Sequence, residues 1–399
     1  MDVVIIGAGP AGTMAARVVA EQGFTVTVYE KGPLKREKPC GGAVSGRVLR
    51  EFDFKASNQF WDRPCTGIFL CSPRNKTATL PSDRTMAYFV MREKFDYYLA
   101  REAQSAGASL VENAPAEPLV KNGKVVGVRV NDEEIRAAIV IACDGTPSSC
   151  ARALNLYRGN DSNQAATYQY QMSMDNTEID EKIGNNLEIY FGSSWVPYGY
   201  SWIFPKDGIV TVGCGTWFRA FKHYTITMKQ CLDRFIKDHP VAREKVKNAH
   251  VLYPQSAMIG FSGISSPIYR DGFMIAGDAA GFVSLPTGEG IYYSMVSGKI
   301  AGEVAVEALR KEDFSKGMLK KYKERTDQRI GADMKWGPWL RRLALDTERD
   351  QEHVVKISAK DRWFGTMVRD MIVGDIPYNM FLWNLVKRPH KIGKFWLGI

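Results

Sequence analysis

Apolar runs separated by glycine turns dominate the start of the chain. Residues 3–6 form an unbroken apolar run, the sequence GAGPAG follows at 7–12, and an alanine-rich segment with helical spacing comes next. A second apolar segment lies at residues 24–30. Short apolar runs that alternate with helical patterns are typical of a parallel sheet covered by helices. The pattern therefore predicts a strand, a helix and a second strand at the beginning of an α/β domain.

Further along, apolar and polar positions alternate, which predicts an antiparallel sheet. Alternation occurs at residues 65–90 and again in short segments between 163 and 217, while residues 224–240 have helical spacing. The chain after about residue 310 has mostly helical patterning. We therefore predict three regions: a discontinuous nucleotide-binding domain (1–64, 91–160 and 251–310), a substrate-binding domain (65–90 and 161–250) and a C-terminal helical region (311–399).

Charge and composition limit the classes of partner and of site that the chain is expected to have. The chain has 399 residues and a formal charge of +9, without a dense basic stripe. This charge favours a lipid surface, an acidic donor protein or a phosphorylated substrate over nucleic acid. Seven cysteines without a CxxC pair and five scattered histidines predict neither a disulfide framework nor a metal site.

The expected location is the cytoplasm. The first core strand starts at once and no apolar run reaches the ~18 residues of a membrane span, so we expect neither a signal peptide nor a transmembrane helix. The last forty residues mix aromatics such as Trp363, Trp383 and Phe395 with cations such as Lys391. This mixture suits either peripheral contact with the inner face of a membrane or an apolar entrance for the substrate. We favour a helical cap on the core, because amphipathic helices mostly face the core.

The glycine segment carries the first chemical signal. Gly7, Gly9 and Gly12 form a G-x-G-x-x-G between a strand and a helix, and Glu30 ends the next strand. Gly7 permits the tight turn, Gly9 lets a pyrophosphate approach the backbone, and Gly12 lets the helix pack on the strand. The helix N-terminus attracts the phosphates, and Glu30 can accept hydrogen bonds from an adenosine ribose. The segment predicts a dinucleotide site.

Two later segments favour FAD over NAD. The apolar run at 139–142 is followed by Asp144-Gly145, and the run at 273–276 by Gly277-Asp278 and a Pro-Thr-Gly-Glu-Gly turn. Asp278 is placed to bind a ribityl hydroxyl. A helix that begins near Gly290 could direct its positive end at the flavin N1/O2 edge.

These three segments resemble the FAD-dependent superfamily typified by p-hydroxybenzoate hydroxylase. The resemblance implies a Rossmann-type FAD-binding domain, an antiparallel-sheet substrate domain and a helical C-terminal region. It also implies that Arg92 reaches the FAD, although a solvated arginine at a helix start is the alternative from the residues alone. The expected FAD-binding residues are Gly7, Gly9, Pro10, Ala11, Gly12, Glu30, Lys31, Cys40, Gly41, Gly42, Ala43, Arg92, Asp144, Gly145, Gly277, Asp278, Gly288, Gly290 and Ile291.

Two further stretches are more specific. One is Pro39-Cys40-Gly41-Gly42, and the other is Y-S-W-I-F-P-K at residues 200–206, where strand alternation puts Tyr200, Trp202 and Phe204 on one face. Both match the geranylgeranyl reductase family residue by residue, and the chain resembles its archaeal lipid branch at least as well as any other. A plain sheet core is the alternative for the three aromatics.

The family resemblance implies reduction of isolated double bonds in a geranylgeranyl chain. Reduced FAD would give a hydride from N5 to one alkene carbon, and an acid would protonate the other. Cys40, Tyr200 and Trp202 are the candidate catalytic residues, and the candidate substrate-binding residues are Tyr200, Trp202, Phe204 and Pro205. Cys40 could give the proton or fix a water, or it could only pack in its turn, and both roles stay open.

Three other functions remain to be weighed. A flavin monooxygenase or a flavin halogenase could use the same fold, although a halogenase would carry W-x-W-x-I-P where this chain has Tyr200 and Phe204. A non-catalytic prenyl-lipid carrier could keep FAD structurally. Because the sequence has no second G-x-G-x-x-G, the electron donor could be NAD(P)H at the flavin face, a ferredoxin or a reduced quinone.

Overall fold

The structure is a computed structural model that describes residues 1–52, 54, 59–156, 164–221, 223–261 and 268–388. The chain forms two compact units. Unit 1 comprises residues 1–37, 92–163 and 259–334, and unit 2 comprises residues 38–91, 164–258 and 335–399. Residues 38–64, 91 and 251–258, which we expected in the nucleotide-binding domain, cluster with unit 2, and so do residues 335–399, which we expected in a separate region. Compactness assigns no ligand to either unit, so the functional division of the chain stays a prediction.

The strands are, in chain order, β1 (Val3–Ile6), β2 (Val26–Tyr29), β3 (Ala43–Ser45), β4 (Arg63–Cys65), β5 (Gly67–Cys71), β6 (Thr77–Pro81), β7 (Ala87–Phe89), β8 (Ser109–Val111), β9 (Ala116–Lys121), β10 (Lys124–Val130), β11 (Glu133–Arg136), β12 (Ile139–Ala142), β13 (Gln164–Ser173), β14 (Asn186–Phe191), β15 (Gly199–Pro205), β16 (Ile209–Trp217), β17 (His250–Gly260), β18 (Tyr269–Arg270) and β19 (Phe273–Ile275). The α-helices are α1 (Pro10–Glu21), α2 (Gly46–Glu51), α3 (Arg92–Ser105), α4 (Ser149–Ala153), α5 (Asn176–Lys182), α6 (Phe218–Phe221), α7 (Met228–Asp238), α8 (Ala242–Val246), α9 (Ile291–Lys311), α10 (Lys316–Ala344), α11 (Glu348–Lys360), α12 (Arg362–Ile372) and α13 (Tyr378–Val386).

Unit 1 contains the predicted Rossmann-type sheet. Six strands lie in the order β18-β19-β12-β1-β2-β8, and all neighbours are parallel except β18 with β19. The register pairs Val3 with Ile139 on one side and with Val26 on the other. Strands β1, β2, β12 and β19 are fully buried, as expected for central strands of a parallel sheet. A small antiparallel sheet, β11-β10-β9, completes the strands of this unit.

Helices α1 and α9 pack at very short range in unit 1. A Cβ added to Gly298 would lie 2.1 Å from the Ala11 carbonyl oxygen, and one added to Gly302 would lie 2.9 Å from the Ala15 oxygen. Small residues therefore let the backbone of α9 approach that of α1, which carries the glycine fingerprint at its N-terminus. The predicted helix of small residues after Gly290 is confirmed.

Unit 2 contains the predicted antiparallel sheet. Its seven strands lie in the order β17-β13-β16-β15-β14-β5-β6. The β13–β16, β16–β15, β15–β14 and β5–β6 pairs are antiparallel, and β14 pairs in parallel with β5. A second sheet, β3-β7-β4, sets Ala43 opposite Phe89. Ala43 follows the glycine pair Gly41-Gly42 directly, so this small sheet fixes one end of the Cys40 loop.

The last helices pack on unit 2 with part of their surface exposed. Phe364, Met367 and Phe381 are buried in one cluster with β5 and β6 residues, which is the cap we favoured. Trp383 is 58% exposed. Phe395 and Lys391 lie outside the described residues. Within the part of the chain that the structure describes, no helix is long and apolar enough to cross a membrane.

Candidate functional site

The loop between β1 and α1 has the close contacts that a dinucleotide fingerprint requires. Gly7 has φ +100°, and a Cβ added there would lie 2.5 Å from the Cys143 carbonyl oxygen. A Cβ on Gly12 would lie 1.9 Å from the Gly7 oxygen. Helix α1 begins at Pro10 after the N-cap residue Gly9, whose missing side chain supplies no cap hydrogen bond. The first N–H groups of α1 are therefore suited to a phosphate.

Glu30 braces this loop. Its Oε2 atom accepts hydrogen bonds from the Ala8 N–H at 2.7 Å and from Arg36 Nη2 at 3.1 Å, and Oε1 accepts one from the Gly32 N–H at 3.3 Å. Glu30 is 4% exposed, whereas Lys31 beside it is exposed. We did not predict the ion pair with Arg36. The basic residue six positions after the acid was the available signal.

The Asp144-Gly145 segment adjoins the same loop. A Cβ on Gly7 would lie 3.2 Å from Asp144 Cα. The Asp144 carboxylate accepts hydrogen bonds from the hydroxyls of Ser148 (2.8 Å) and Ser149 (3.1 Å) and from the Cys150 N–H (3.1 Å). These bonds hold Asp144 at the start of α4. Gly145 has φ +77°, and a Cβ added to it would meet nothing within 4 Å among the described residues.

The Gly277-Asp278 segment meets the fingerprint as well. A Cβ on Gly277 would lie 2.9 Å from the Ala11 Cβ. Asp278 Oδ1 accepts a hydrogen bond from Ser294 Oγ at 3.1 Å, and a Cβ on Gly290 would lie 3.0 Å from that oxygen. Helix α9 begins at Ile291 without a side-chain cap on Gly290. The Gly288 N–H donates to the Ser284 carbonyl at 2.9 Å, which closes the preceding turn. Unit 1 thus brings the three predicted FAD segments together.

Arg92 starts α3 in unit 1 and is buried. Its Nε and Nη2 atoms both donate to the Asp96 carboxylate at 2.8 Å, one helical turn away. Arg92 is 7% exposed and Asp96 is 2% exposed. The solvated alternative for Arg92 is therefore wrong, because the side chain is enclosed with its acidic partner. Whether Arg92 contacts FAD stays a prediction.

The Cys40 loop lies in unit 2 against strand β15. A Cβ on Gly41 would lie 2.6 Å from Phe204 Cε2 and 3.4 Å from Trp202 Nε1. Gly42 has φ +77°, and a Cβ there would lie 2.1 Å from the Val90 carbonyl oxygen. The Gly42 N–H points at Cys40 Sγ at 3.3 Å. Gly42 requires glycine because of its left-handed backbone and its approach to the Val90 carbonyl, whereas a side chain at Gly41 would clash with the Phe204 ring.

The three aromatics of β15 form one continuous row, as alternation predicted. Ring centroids are 6.0 Å apart for Tyr200 and Trp202 and 6.4 Å apart for Trp202 and Phe204. Trp202 is 7% exposed, and its Nε1 has no hydrogen-bond partner among the described residues. Burial raises the pKa of Tyr200 to about 12, with Tyr378 and Cys40 acting in the same direction. Pro205 ends the strand, opposite Val210.

Sequence reasoning missed two polar residues that hold this loop. Lys206 is 1% exposed, and its Nζ donates to the Gly41 carbonyl at 2.9 Å. Gln169 Nε2 donates to the Cys40 carbonyl at 3.1 Å. Sequence reasoning also missed Gly213. This glycine matters for the site because a Cβ there would lie 2.3 Å from the Trp202 ring. A glycine inside a strand often marks such a close approach, and this was the available signal.

Cys40 differs from the other cysteines. All seven are free, and Cys40 is half-buried while the remaining six are buried. Burial raises the pKa of Cys65 to about 11 and that of Cys71 to about 12, so these thiols stay neutral. Among the described residues, no three His, Cys, Asp or Glu side chains are grouped as metal ligands. Cys40 is thus the accessible thiol of the set.

Family models and curated relatives both relate the chain to geranylgeranyl reductases. A family model for the geranylgeranyl reductase catalytic domain matches residues 163–256, and one for an FAD binding domain matches residues 1–191. The chain is 36% identical to a digeranylgeranylglycerophospholipid reductase of Methanocaldococcus jannaschii over 81% of each protein. It is 34% identical to the protein of that name from Thermoplasma acidophilum, over 82% of this chain and 84% of the relative.

Solved structures include a similar protein of the same family and more distant flavoproteins that share the fold. A geranylgeranyl bacteriochlorophyll reductase-like protein from Thermoplasma acidophilum is 29% identical with a TM-score of 0.83, covering 97% of this chain and 98% of its own. The flavin-dependent brominase Bmp2 has a TM-score of 0.74 at 18% identity, covering 98% and 99%. At that identity the brominase shares the fold alone.

Proposed function

The chain belongs to the geranylgeranyl reductase family, and from this premise we propose that it is an FAD-dependent reductase. It saturates C=C bonds of geranylgeranyl chains in archaeal membrane lipids or their precursors. The observation that carries the proposal is the packing of the Cys40 loop on the aromatic row of β15. Both family motifs lie there, in contact with each other. A halogenase would carry W-x-W-x-I-P where this chain has Tyr200 and Phe204, and the brominase shares the fold alone.

The residues of unit 1 fit FAD. The uncapped N-terminus of α1, the tight turn at Gly7 against the Cys143 carbonyl and the bracing of the loop by Glu30 suit a pyrophosphate and a ribose. The Asp278 side chain lies beside the first turn of α9, where a ribityl hydroxyl and the flavin N1/O2 edge would meet a carboxylate and a helix N-terminus. When bound and reduced, FAD supplies the hydride.

The residues of unit 2 would orient the alkene and deliver a proton. Tyr200, Trp202 and Phe204 provide an apolar wall, and each CH₂ buried on it contributes about 0.8 kcal/mol. Such contacts hardly discriminate one isoprene unit from the next, so the geranylgeranyl chain can slide along the wall and be reduced at several bonds. The Cys40 thiol is the candidate acid, since it is half-buried beside Tyr200 and the wall.

A lipid substrate calls for access to a membrane, and α13 has the surface for it. Met380, Trp383 and Val386 lie three residues apart on this helix, with exposures of 53%, 58% and 61%. Lys387 Nζ is 5.3 Å from the Trp383 ring centroid. Exposed aromatics beside cations suit an anionic bilayer surface. Trp383→Ser should weaken sedimentation of the protein with anionic vesicles. Trp195→Ser is the control, because the Trp195 ring packs beside His239 inside unit 2.

The function is tested anaerobically. The purified flavoprotein is reduced with dithionite, mixed with digeranylgeranylglyceryl phospholipid, and the lipid is followed by mass spectrometry. We expect successive gains of two hydrogens. Binding without any mass gain across several prenyl lipids would instead identify a carrier protein. Oxygen uptake with a hydroxylated product in air would identify a monooxygenase.

Two extensions of this assay address the acid and the electron donor. Cys40→Ser and Cys40→Ala, with FAD content matched to the native enzyme, should lower the rate of hydrogen gain. Full activity in both variants would remove the thiol from the mechanism. Replacing dithionite by NADPH, by reduced ferredoxin or by a reduced quinone identifies which donor supports turnover.

A further inference from the structure

We infer that a buried hydrogen-bond network centred on Lys206 and Thr211 is the positioning device for Cys40. The inference rests on the proposed function only in its purpose, which is to hold the thiol where the alkene is protonated. Its members also include three glutamines: Gln169, Gln171 and Gln255. None of these five residues was assigned a role by the motifs.

The network closes on the backbone of the Cys40 loop. Lys206 Nζ donates to the Gly41 carbonyl at 2.9 Å and also to Thr211 Oγ1. Thr211 donates to Gln171 Oε1 at 2.6 Å, and Gln171 Nε2 donates to Gln255 Oε1 at 3.3 Å. Gln169 Nε2 donates to the same Gln255 oxygen at 2.7 Å and to the Cys40 carbonyl at 3.1 Å. Two successive carbonyls of the loop are thus held from β13, β16 and the end of β15.

Burial and charge make the network stiff. Lys206 is 1% exposed, Thr211 is 0%, and Gln169 and Gln171 are 3% and 2%. A buried polar group that loses its partner is costly, so each donor strongly prefers its present acceptor. Burial lowers the pKa of Lys206 to about 8, opposed by Asp62 and Cys40, so an ammonium ion holds Gly41 at neutral pH. Charge-assisted hydrogen bonds of this kind are the strongest in the network.

The test uses the accessibility of Cys40, which needs no turnover. Cys40 is the half-buried cysteine of the seven, so brief iodoacetamide treatment of the FAD-loaded enzyme followed by peptide mass spectrometry reports its alkylation rate. Thr211→Val removes the hydroxyl at nearly constant volume, and Thr211→Ser keeps it. Lys206→Met removes the ammonium. Lys245→Met is the matched control, because Lys245 is paired with Glu188 away from the loop.

We expect Cys40 to react about tenfold faster in Thr211→Val and Lys206→Met, the scale of one lost buried hydrogen bond. The native rate should return in Thr211→Ser, and kcat should fall with little change in KM. A general loss of packing would label the six buried cysteines as well, and such labelling in Thr211→Val would overturn the inference. Lys245→Met should leave Cys40 at its native rate of alkylation. An alkylation rate in Thr211→Val within twofold of native would do the same. Alkylation is measured even if no lipid is reduced, so failure of the proposed function is seen separately.

Discussion

Replacing Gly298 by alanine tests whether the spacing of α1 and α9 fixes the phosphate-binding loop. The new Cβ would lie 2.1 Å from the Ala11 oxygen, where an ordinary contact is at least 3.4 Å, so the helices must separate by roughly 1 Å. Alanine inside a helix gains about 1 kcal/mol over glycine. Overpacking costs about 1–3 kcal/mol, and a clash with backbone belongs at the upper end. We expect a net loss of about 1–2 kcal/mol.

The same displacement should weaken FAD binding. Ala11 lies in the first turn of α1, whose N–H groups are suited to the pyrophosphate, so moving its carbonyl moves the donors. Urea unfolding of the FAD-free protein measures stability, and quenching of flavin fluorescence measures affinity. We expect the dissociation constant to rise about tenfold, the equivalent of ~1.4 kcal/mol.

Two other glycines calibrate the result. In Gly302→Ala the Cβ lies 2.9 Å from the Ala15 oxygen, so its effect should be intermediate. In Gly331→Ala, inside α10, the nearest atom is Asp327 Cβ at 3.5 Å, and the helix-propensity gain of up to about 1 kcal/mol should appear undiminished. If Gly298→Ala proves as stable as Gly331→Ala and binds FAD normally, the argument from helix spacing is wrong.

Three shorter predictions concern other positions. Gly41→Ala should lower kcat/KM at least about tenfold through its clash with Phe204, and Phe204→Leu should restore part of it; an unaffected single variant contradicts the clash. Glu30→Gln should weaken FAD binding in the fluorescence assay, because the carboxylate braces the loop; native affinity would refute this. Burial raises the pKa of Glu188 to about 7, above ~4.3 in the unfolded chain, so the folded state retains a proton that the unfolded state releases. The free energy of unfolding should therefore fall between about pH 5 and 7, and the double variant Glu188→Gln/Lys245→Met should lack that fall. Urea unfolding at several pH values measures this free energy, and the same pH dependence in both proteins would contradict the prediction.

The parts of the fold that depend on local pattern were predictable. Residues 2–30 contain their own turn, helix and strand signals, and β1, α1 and β2 are where these signals put them. The unit to which residues 38–64 belong was not predictable. Strand β3 pairs with β7, more than forty residues later, and such pairings depend on tertiary contacts that neither alternation nor turn residues encode.

The candidate site divides in the same way. Period-two alternation was enough to put Tyr200, Trp202 and Phe204 in one row, since successive strand residues face opposite sides. The environment of Lys206 was beyond sequence reasoning, because a lysine after a strand is usually solvated. Its burial results from Thr211 on the neighbouring strand and from the Gly41 carbonyl, 165 residues away in sequence.

The two family motifs therefore behave as one structural element. Gly41 must be glycine because Phe204 and Trp202 lie against it, and Gly42 because the Val90 carbonyl and the Lys206 side chain do. The need for these glycines thus arises inside unit 2, before any cofactor is considered. It follows that the orientation of the Cys40 thiol is inherited from β15 and its neighbours. A protein that carried the Cys40 loop without the aromatic strand would have the thiol but would lack the contacts that orient it.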